Sequence, residues 1–504
     1  MTYGYQGLLM LVGFWLMPFY LGRIGQHDYG LWLVGTQLLA YLSLTDFGVV
    51  ALLPLETAYA TGRAGSVGKA IDLPQIIGQT ARIVLYQLPI VIALAVAMWL
   101  LIPTGWRDLR GPLAVAMVAF VVGFPLRILP ALLQGLQDLA FANGLQTAVW
   151  ILSTVATVLM VLAGWKLYAL ALGWLFSQLA MTPLLVYRLR TRFPGVMPRR
   201  LPPMVWSALR SQLGKGFWVS VGQVAQLLMT NSDNLIIGRM LSPAAVVPYS
   251  FTGKLPGVLG NQASMLMHTA APALCELKTA ESRQRVFQAI GALNQAMLTF
   301  SGLVFCVVVV INHWFVDWWV AARQYGEQYG GIWLTLAILM SMVIRHWATT
   351  CAYTVFCFNY QRRISLTNLA DGIVTAGACL AGIALWGVIG APIGSMIGAC
   401  LVSLPFNLQV IARDAGKTVP QLVAGMLGGW FWRFALLITA AIWVAMHWSP
   451  NSLVEAGAAA AAVVAIYCLV MLPNLLRAPM GVYLRPLASA FHEKFVALQV
   501  KLSS

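Results

Sequence analysis

Charge is what this sequence has least of. Of its 504 residues only 9% are Asp, Glu, Lys or Arg, where soluble domains carry about 25%. With 60% hydrophobic residues beside them, so few charges cannot clothe a soluble globule, and the chain reads as an all-α polytopic membrane protein. Catalytic signatures are missing as well. No Gly-x4-Gly-Lys-Ser/Thr phosphate loop occurs, which excludes ATP hydrolysis by that route. No His-Glu-x2-His motif and no Ser/His/Asp order is found, and the six histidines, His27, His268, His313, His346, His447 and His492, are scattered. The seven cysteines, Cys275, Cys306, Cys351, Cys357, Cys379, Cys400 and Cys468, lie in or beside apolar segments with no Cys-x2-Cys spacing. They read as small buried hydrophobes, with no zinc, iron–sulfur or disulfide framework. No catalytic residue, metal ligand or cofactor is expected, and the chain is read as a non-enzyme.

What is present is apolar length. A span needs about 20 predominantly apolar residues, and fourteen candidates fit: 5–21, 29–54, 83–102, 113–136, 141–164, 167–187, 217–238, 245–272, 290–316, 331–358, 365–386, 388–411, 428–447 and 454–475. The run from Tyr5 to Leu21 has no basic region before it and no small-residue cleavage site, so it reads as a span rather than a signal peptide. Between 365–386 and 388–411 the glycines and proline of Trp386-Gly387-Val388-Ile389-Gly390-Ala391-Pro392 predict a tight turn.

The net charge of +16 is distributed by side. With the N-terminus in the cytoplasm, 21 of the 31 Lys and Arg fall in cytoplasmic loops or the tail, 6 outside and 4 within spans. This is the positive-inside pattern, with both termini inside, and it leaves no case for a nucleic-acid binder. The longest polar connection, 188–216, is basic and separates six helices from the remainder, as a two-lobe transporter requires. Its portion from Met204 to Gly214 reads either as an amphipathic surface helix or as a solvated linker. A faint internal repeat, Ile24-Gly25 with Trp32 and Leu241-Ser242 with Tyr249 at the same spacing, supports a duplicated six-helix unit. The expected organisation is an N-terminal lobe 1–187, linker 188–216, C-terminal lobe 217–412, two further helices in 413–475 and a tail 476–504. The two pseudo-repeated lobes would enclose a central cavity.

Ionisable residues inside spans are expensive and mark either function or a structural ion pair. Here they are Asp46, Arg127, Asp233, Lys254, Arg345, Asp371 and Arg433. Asp46 either faces a cavity or caps a broken helix, since Thr45-Asp46-Phe47-Gly48 also reads as a helix start. Asp233 sits in the polar run Asn231-Ser232-Asp233-Asn234, which predicts an aqueous face. Lys254, between Gly253 and Pro256-Gly257, predicts a kinked helix. Arg127 and Arg345 are near mid-span. Asp371 is expected toward the interface beside Arg362-Arg363, and Arg433, near a helix end, is expected to snorkel. For each of these a structural pair stands beside the functional reading.

Three stretches add a resemblance. The first is Ile24-Gly25 through Tyr29-Gly30-Leu31-Trp32 to Tyr41-Leu42 and Asp46-Phe47-Gly48. The second is Gln134-Gly135-Leu136-Gln137 with Ala142-Asn143. The third is Thr230 to Gly238 with Tyr249, Lys254-Leu255, Pro256-Gly257 and Ala271-Pro272-Ala273-Leu274. Together they resemble the Wzx-type polysaccharide flippases of the multidrug/oligosaccharidyl-lipid/polysaccharide (MOP) exporter superfamily. The peptidoglycan-precursor branch carries several arginines in helix 1, whereas this helix has only Arg23 at its outer end.

The resemblance implies export of a polyprenyl-diphosphate-linked oligosaccharide across the inner membrane. Lys254, Arg127 and Arg345 would bind substrate, and Asp46, Asp233 and Asp371 would serve ion coupling or line the cavity. Membrane lipids and polysaccharide polymerase or assembly proteins are the expected partners. Two alternatives stand beside it: an ion-coupled drug/cation antiporter of the same superfamily, and a lipid-linked-sugar polymerase or ligase. In-span cations count against the first. The second would need a larger outside loop than the stretches at 103–112 and 321–330.

Overall fold

A computed structural model of the chain describes residues 2–67, 73–198, 201–203, 206–263, 265, 267, 283–320, 328–358 and 360–484. Among them the structure is helical and contains no strand, as hydrocarbon demands of a chain that must satisfy its backbone internally. It divides into two compact units, Met1–Val247 and Pro248–Ser504. The Ala271-Pro272-Ala273-Leu274 stretch, Cys275, His268, part of the 204–214 segment and the tail beyond 484 lie outside the described residues.

The first unit runs α1 (Thr2–Ile24), α2 (Gln26–Leu42), α3 (Val49–Val67), α4 (Leu73–Leu100), α5 (Arg107–Leu126), α6 (Ile128–Gly135), α7 (Leu139–Leu162), α8 (Lys166–Arg192), α9 (Trp206–Thr230) and α10 (Ser232–Met240). Helix α11 (Pro243–Thr252) leads from it into the second unit. Small residues let these helices close on one another. A Cβ at Gly135 would lie 2.8 Å from the Pro54 carbonyl oxygen, which brings α6 against α3, and one at Gly173 would meet the Thr157 hydroxyl between α8 and α7. Ile24, Val161, Leu167 and Leu170 bury the meeting point of α1, α7 and α8.

The second unit holds a helix over 254–263 (α12), then α13 (Arg283–Val320), α14 (Ile332–Cys357), α15 (Gln361–Trp386), α16 (Gly390–Gly398), α17 (Leu404–Ala415), α18 (Val419–His447) and α19 (Leu453–Leu475). Its axis is α13. At 38 residues this helix is about 57 Å long, nearly twice the about 30 Å of hydrocarbon. Phe305, Val308 and Val309 of α13 pack with Leu339 of α14, Phe434 of α18 and Tyr467 and Met471 of α19 in one buried cluster. The buried Tyr467 hydroxyl is not wasted, because it donates to the Thr299 carbonyl at 2.8 Å.

Among the described residues nine helices are long and apolar enough to cross a membrane, or ten if one bent pair is counted as a span. One of the nine is the helical run Arg362–Ala415 of 54 residues, and it does not run straight. It folds back at Gly387, whose φ of +61° suits glycine, so the expected turn is found. The two arms then meet along a glycine seam: Gly390 against Gly382, Gly394 against Cys379, and Gly398 against Thr375 and Asp371. Cys379 Sγ donates to the Ala391 carbonyl at 3.2 Å across the same seam. The repeat Gly390-x3-Gly394-x3-Gly398 is the sequence signal for this close antiparallel pair. A π-helical turn, Ala399–Ser403, follows α16 and leads directly into α17.

Several expected spans are interrupted rather than continuous. The stretch 29–54 breaks at Phe47-Gly48 and bends by 54°. The stretch 113–136 is interrupted at Arg127, 217–238 at Asn231, and 245–272 at Gly253. The break after Asp46 and the kink at Gly253 match readings of the sequence, whereas the interruptions at Arg127 and Asn231 were not expected from it. Each sits at or within two residues of Asp46, Arg127, Asp233 or Lys254. Freed backbone groups at a break need polar partners, and these are the places where the chain invests its scarce charge.

Candidate functional site

In the first unit the break after α2 is built by three residues. Asp46 ends a 3-10 turn, Ser43–Asp46, and Phe47 and Gly48 then adopt φ of 48° and 69°. That left-handed pair stops the helix, and α3 starts afresh. The Asp46 carboxylate accepts a hydrogen bond from the Val50 backbone N–H at 3.0 Å, so the helix-capping reading of Asp46 is observed. The Asp46 carbonyl accepts from Gln87 Nε2 of α4 at 3.1 Å. Gly48 admits no side chain, because a Cβ there would lie 2.8 Å from the Gly216 carbonyl oxygen and 2.9 Å from Val219 Cβ of α9. Helices α4 and α9 thus hold the break in place. Asp46 is only 7% exposed.

Arg127 sits at the interruption between α5 and α6. Its guanidinium lies 5.3 Å from the Phe120 ring centroid and 6.0 Å from that of Phe124, a cation–π arrangement that offsets part of its desolvation. It also acts electrostatically on Asp46. The fold therefore brings two of the sequence candidates, one of each sign, into a single region of the first unit.

Asp233 falls in the first turn of α10, after Asn231 leaves helical geometry with φ −118° and ψ 3°. A carboxylate in a first helical turn suits the positive end of the helix dipole. The break is tied to α2 by a 2.8 Å hydrogen bond between the hydroxyls of Tyr41 and Ser232. Asp233 is half-buried, and the polar run that drew notice to it is a helix break.

In the second unit Lys254 is half-buried and opens α12 directly after the interruption at Gly253. Its surroundings are cross-linked by hydrogen bonds. Asn312 of α13 donates to the Thr252 carbonyl at 3.1 Å and to the Thr335 hydroxyl at 3.2 Å. The Thr252 hydroxyl accepts from the Gly330 N–H at 2.8 Å.

Arg345 and Asp371 form a different kind of site. Asp371 was expected near the interface with Arg362-Arg363, but it is fully buried inside the α15–α16 hairpin, and its partner is Arg345 of α14. Arg345 Nη1 donates to Asp371 Oδ2 at 2.6 Å, Nη2 to the Thr375 hydroxyl at 2.7 Å and Nε to the Ser395 hydroxyl at 2.9 Å. The hydroxyls of Thr375 (2.9 Å) and Ser403 donate to the two Asp371 oxygens in turn. The π-helical turn delivers Ser403 to this carboxylate. Sequence reasoning named the two charges but missed the three hydroxyls. Only Thr375, one helical turn from Asp371, left a local trace in the sequence. Among the described residues no group of three or more His, Cys, Asp or Glu side chains is placed to hold a metal ion.

Residues 87–322, just under half of the chain, match the model of a family described as polysaccharide biosynthesis protein. No curated protein sequence matches it. In three dimensions it is similar to an inward-facing MATE family multidrug resistance transporter of the MOP superfamily. That match has a TM-score of 0.57 and 14% identity, covering 80% of this chain and 98% of that one. The chain has the MOP transporter fold. The Lipid II flippase MurJ in its inward closed conformation gives a TM-score of 0.56 at 8% identity over 92% of this chain and 100% of that one. A mutant of the Vibrio cholerae MATE transporter VcmN gives 0.52 at 11% over 82% and 95%. The resemblance to the MOP superfamily read from the sequence is borne out in the fold, as is the helical, multi-pass membrane character, and the family match adds a likeness to polysaccharide biosynthesis proteins over residues 87–322.

Proposed function

We propose that the protein carries a polyprenyl-diphosphate-linked oligosaccharide from the cytoplasmic to the periplasmic leaflet of the inner membrane by alternating access, with both termini in the cytoplasm. The observation that carries this reading is the conjunction of a polysaccharide-biosynthesis family match with a fold shared with a lipid-linked-sugar flippase. A diphosphate with its sugars cannot cross about 30 Å of hydrocarbon unaided, whereas its prenyl tail can remain in lipid. Arg127 in the first unit and Lys254 in the second are each a cation suited to pairing a phosphate. Both stand at helix interruptions, where transporters of broken-helix design place their ligands. Arg345, already neutralised by Asp371, holds the hairpin rather than substrate. Asp46 and Asp233 are the candidates for ion coupling.

The MATE folds favour a second reading, transport of a cationic drug. The in-span Arg127 and Lys254 oppose it, since a cation site calls for net negative charge. The test is reconstitution into proteoliposomes with a fluorescent polyprenyl-diphosphate oligosaccharide in one leaflet and, separately, a cationic dye. Appearance of the labelled lipid in the opposite leaflet, dependent on Lys254, supports the first reading. Dye transport with no lipid movement replaces it with the second.

A further inference from the structure

Arg362 and Arg363 lie in the first turn of α15, and both are exposed. They head a groove of about 710 Å³ whose polar end also holds Tyr360 and Thr367. Its walls are Leu366 and Ala370 of α15 with Val402 of the π-helical turn and Phe406 of α17. Positions 362, 363, 366, 367 and 370 share one helical face, as do 402 and 406 on the facing segment. Arg363 Nη2 reaches the Phe406 carbonyl at 3.4 Å and joins the two sides at the groove's head. Among the described residues no carboxylate lines the groove, and the charge they bring to it is positive.

Below the head the face stays apolar and open. Leu366, Ile373 and Leu380 follow at seven-residue intervals and are 49%, 59% and 48% exposed. In a span, a row of exposed aliphatic side chains faces hydrocarbon. The groove is therefore amphipathic along its length, with two guanidinium groups at one end and aliphatic walls running toward the acyl region. Its head lies on the side where the Lys and Arg distribution puts the cytoplasm, and that leaflet is the anionic one.

We propose that this groove binds an anionic phospholipid. The phosphate diester sits on Arg362 and Arg363, whose planar guanidinium groups donate to phosphate oxygens in pairs, and the positive end of the α15 helix dipole adds to the attraction. One acyl chain lies along Leu366, Ala370, Val402 and Phe406. A sugar headgroup is not the occupant favoured, because among the described residues only Tyr360 and Thr367 bring hydroxyls to the groove. The bound lipid braces the hairpin that carries Asp371.

The test uses the full-length purified protein, with lipid retention by native mass spectrometry and thermal stability against added dioleoylphosphatidylglycerol as readouts. Phosphatidylglycerol is expected to bind and raise Tm, while dioleoylphosphatidylcholine and inorganic phosphate do neither. Arg362→Gln/Arg363→Gln should weaken the apparent affinity by about 30-fold, from about 5-fold per charge at an anionic surface. Ala370→Phe, which fills the groove and leaves both charges, should also weaken binding by tenfold or more. Unchanged binding in either variant overturns the proposal, and so does equal stabilisation by phosphatidylcholine or by inorganic phosphate. Displacement of phosphatidylglycerol by an equimolar polyprenyl phosphate overturns it in favour of a substrate site.

Discussion

Removing Arg345 tests whether the buried charge pair is a structural clamp. The residue donates three hydrogen bonds, at 2.6, 2.7 and 2.9 Å, to Asp371, Thr375 and Ser395, and its carboxylate partner is 0% exposed. In Arg345→Met the carboxylate keeps the hydroxyls of Thr375 and Ser403 but loses its only cation among the described ion pairs. Removing one member of a buried pair costs about 3–5 kcal/mol, because the other is left uncompensated. The two remaining hydroxyl donors put the expectation at the lower end, about 3 kcal/mol. At about 2 °C per kcal/mol for a unit of this size, Tm should fall by about 6 °C. Arg345→Met/Asp371→Leu should recover most of that loss, since apolar replacement of a whole buried pair is neutral or stabilising. The assay is thermal unfolding of the detergent-solubilised protein followed by fluorescence of its 19 tryptophans. A single variant melting within about 1 °C of wild type, or a double variant less stable than the single one, refutes the clamp.

Four further outcomes are expected. Asp46→Asn should keep the fold, because an asparagine oxygen still accepts from the Val50 N–H, yet slow lipid transport in proteoliposomes; normal transport leaves Asp46 as a cap alone. Lys254→Ala should express and melt near wild type while abolishing transport, with Lys254→Arg retaining part of it because guanidinium also pairs phosphate in a different geometry; export at the wild-type rate by the alanine variant would remove Lys254 from the site. Gly390→Ala should destabilise by about 2 kcal/mol or more, since its Cβ would fall 2.0 Å from the Gly382 carbonyl carbon; an unaltered melting curve would refute the closeness of the seam. In a cysteine-free background, Asp108→Cys should label in intact cells and Arg192→Cys only after permeabilisation; the reverse pattern inverts the topology and the direction of transport.

The charges themselves were conspicuous in the sequence, because in a chain with 9% charged residues each one inside an apolar run stands out. What each charge does was not legible. Asp46 was open between cavity and cap, and the cap appears because Phe47 and Gly48 turn left-handed against Gly216 of α9, a contact far away in the chain. Asp371 was expected toward the interface beside Arg362-Arg363, whereas it is fully buried and paired with Arg345 of the preceding helix. The Gly390-x3-Gly394-x3-Gly398 repeat was present to be read, but its meaning depends on which helix it faces. The interruption at Arg127 escaped for a related reason, since apolar residues flank it on both sides in Phe124-Pro125-Leu126-Arg127-Ile128-Leu129.

By itself the sequence determined membrane class and helical character. Hydrocarbon forces each apolar segment to satisfy its own backbone, so those properties are local to the segment that carries them. The tertiary structure alone decided that Arg345 and Asp371 neutralise each other and that Gln87 and α9 hold the Asp46 break open. It alone decided that the two arms on either side of the expected turn close along a glycine seam. Those are pairings between helices, fixed by which side chains and which missing side chains come within a few ångströms, and no single segment contains that information.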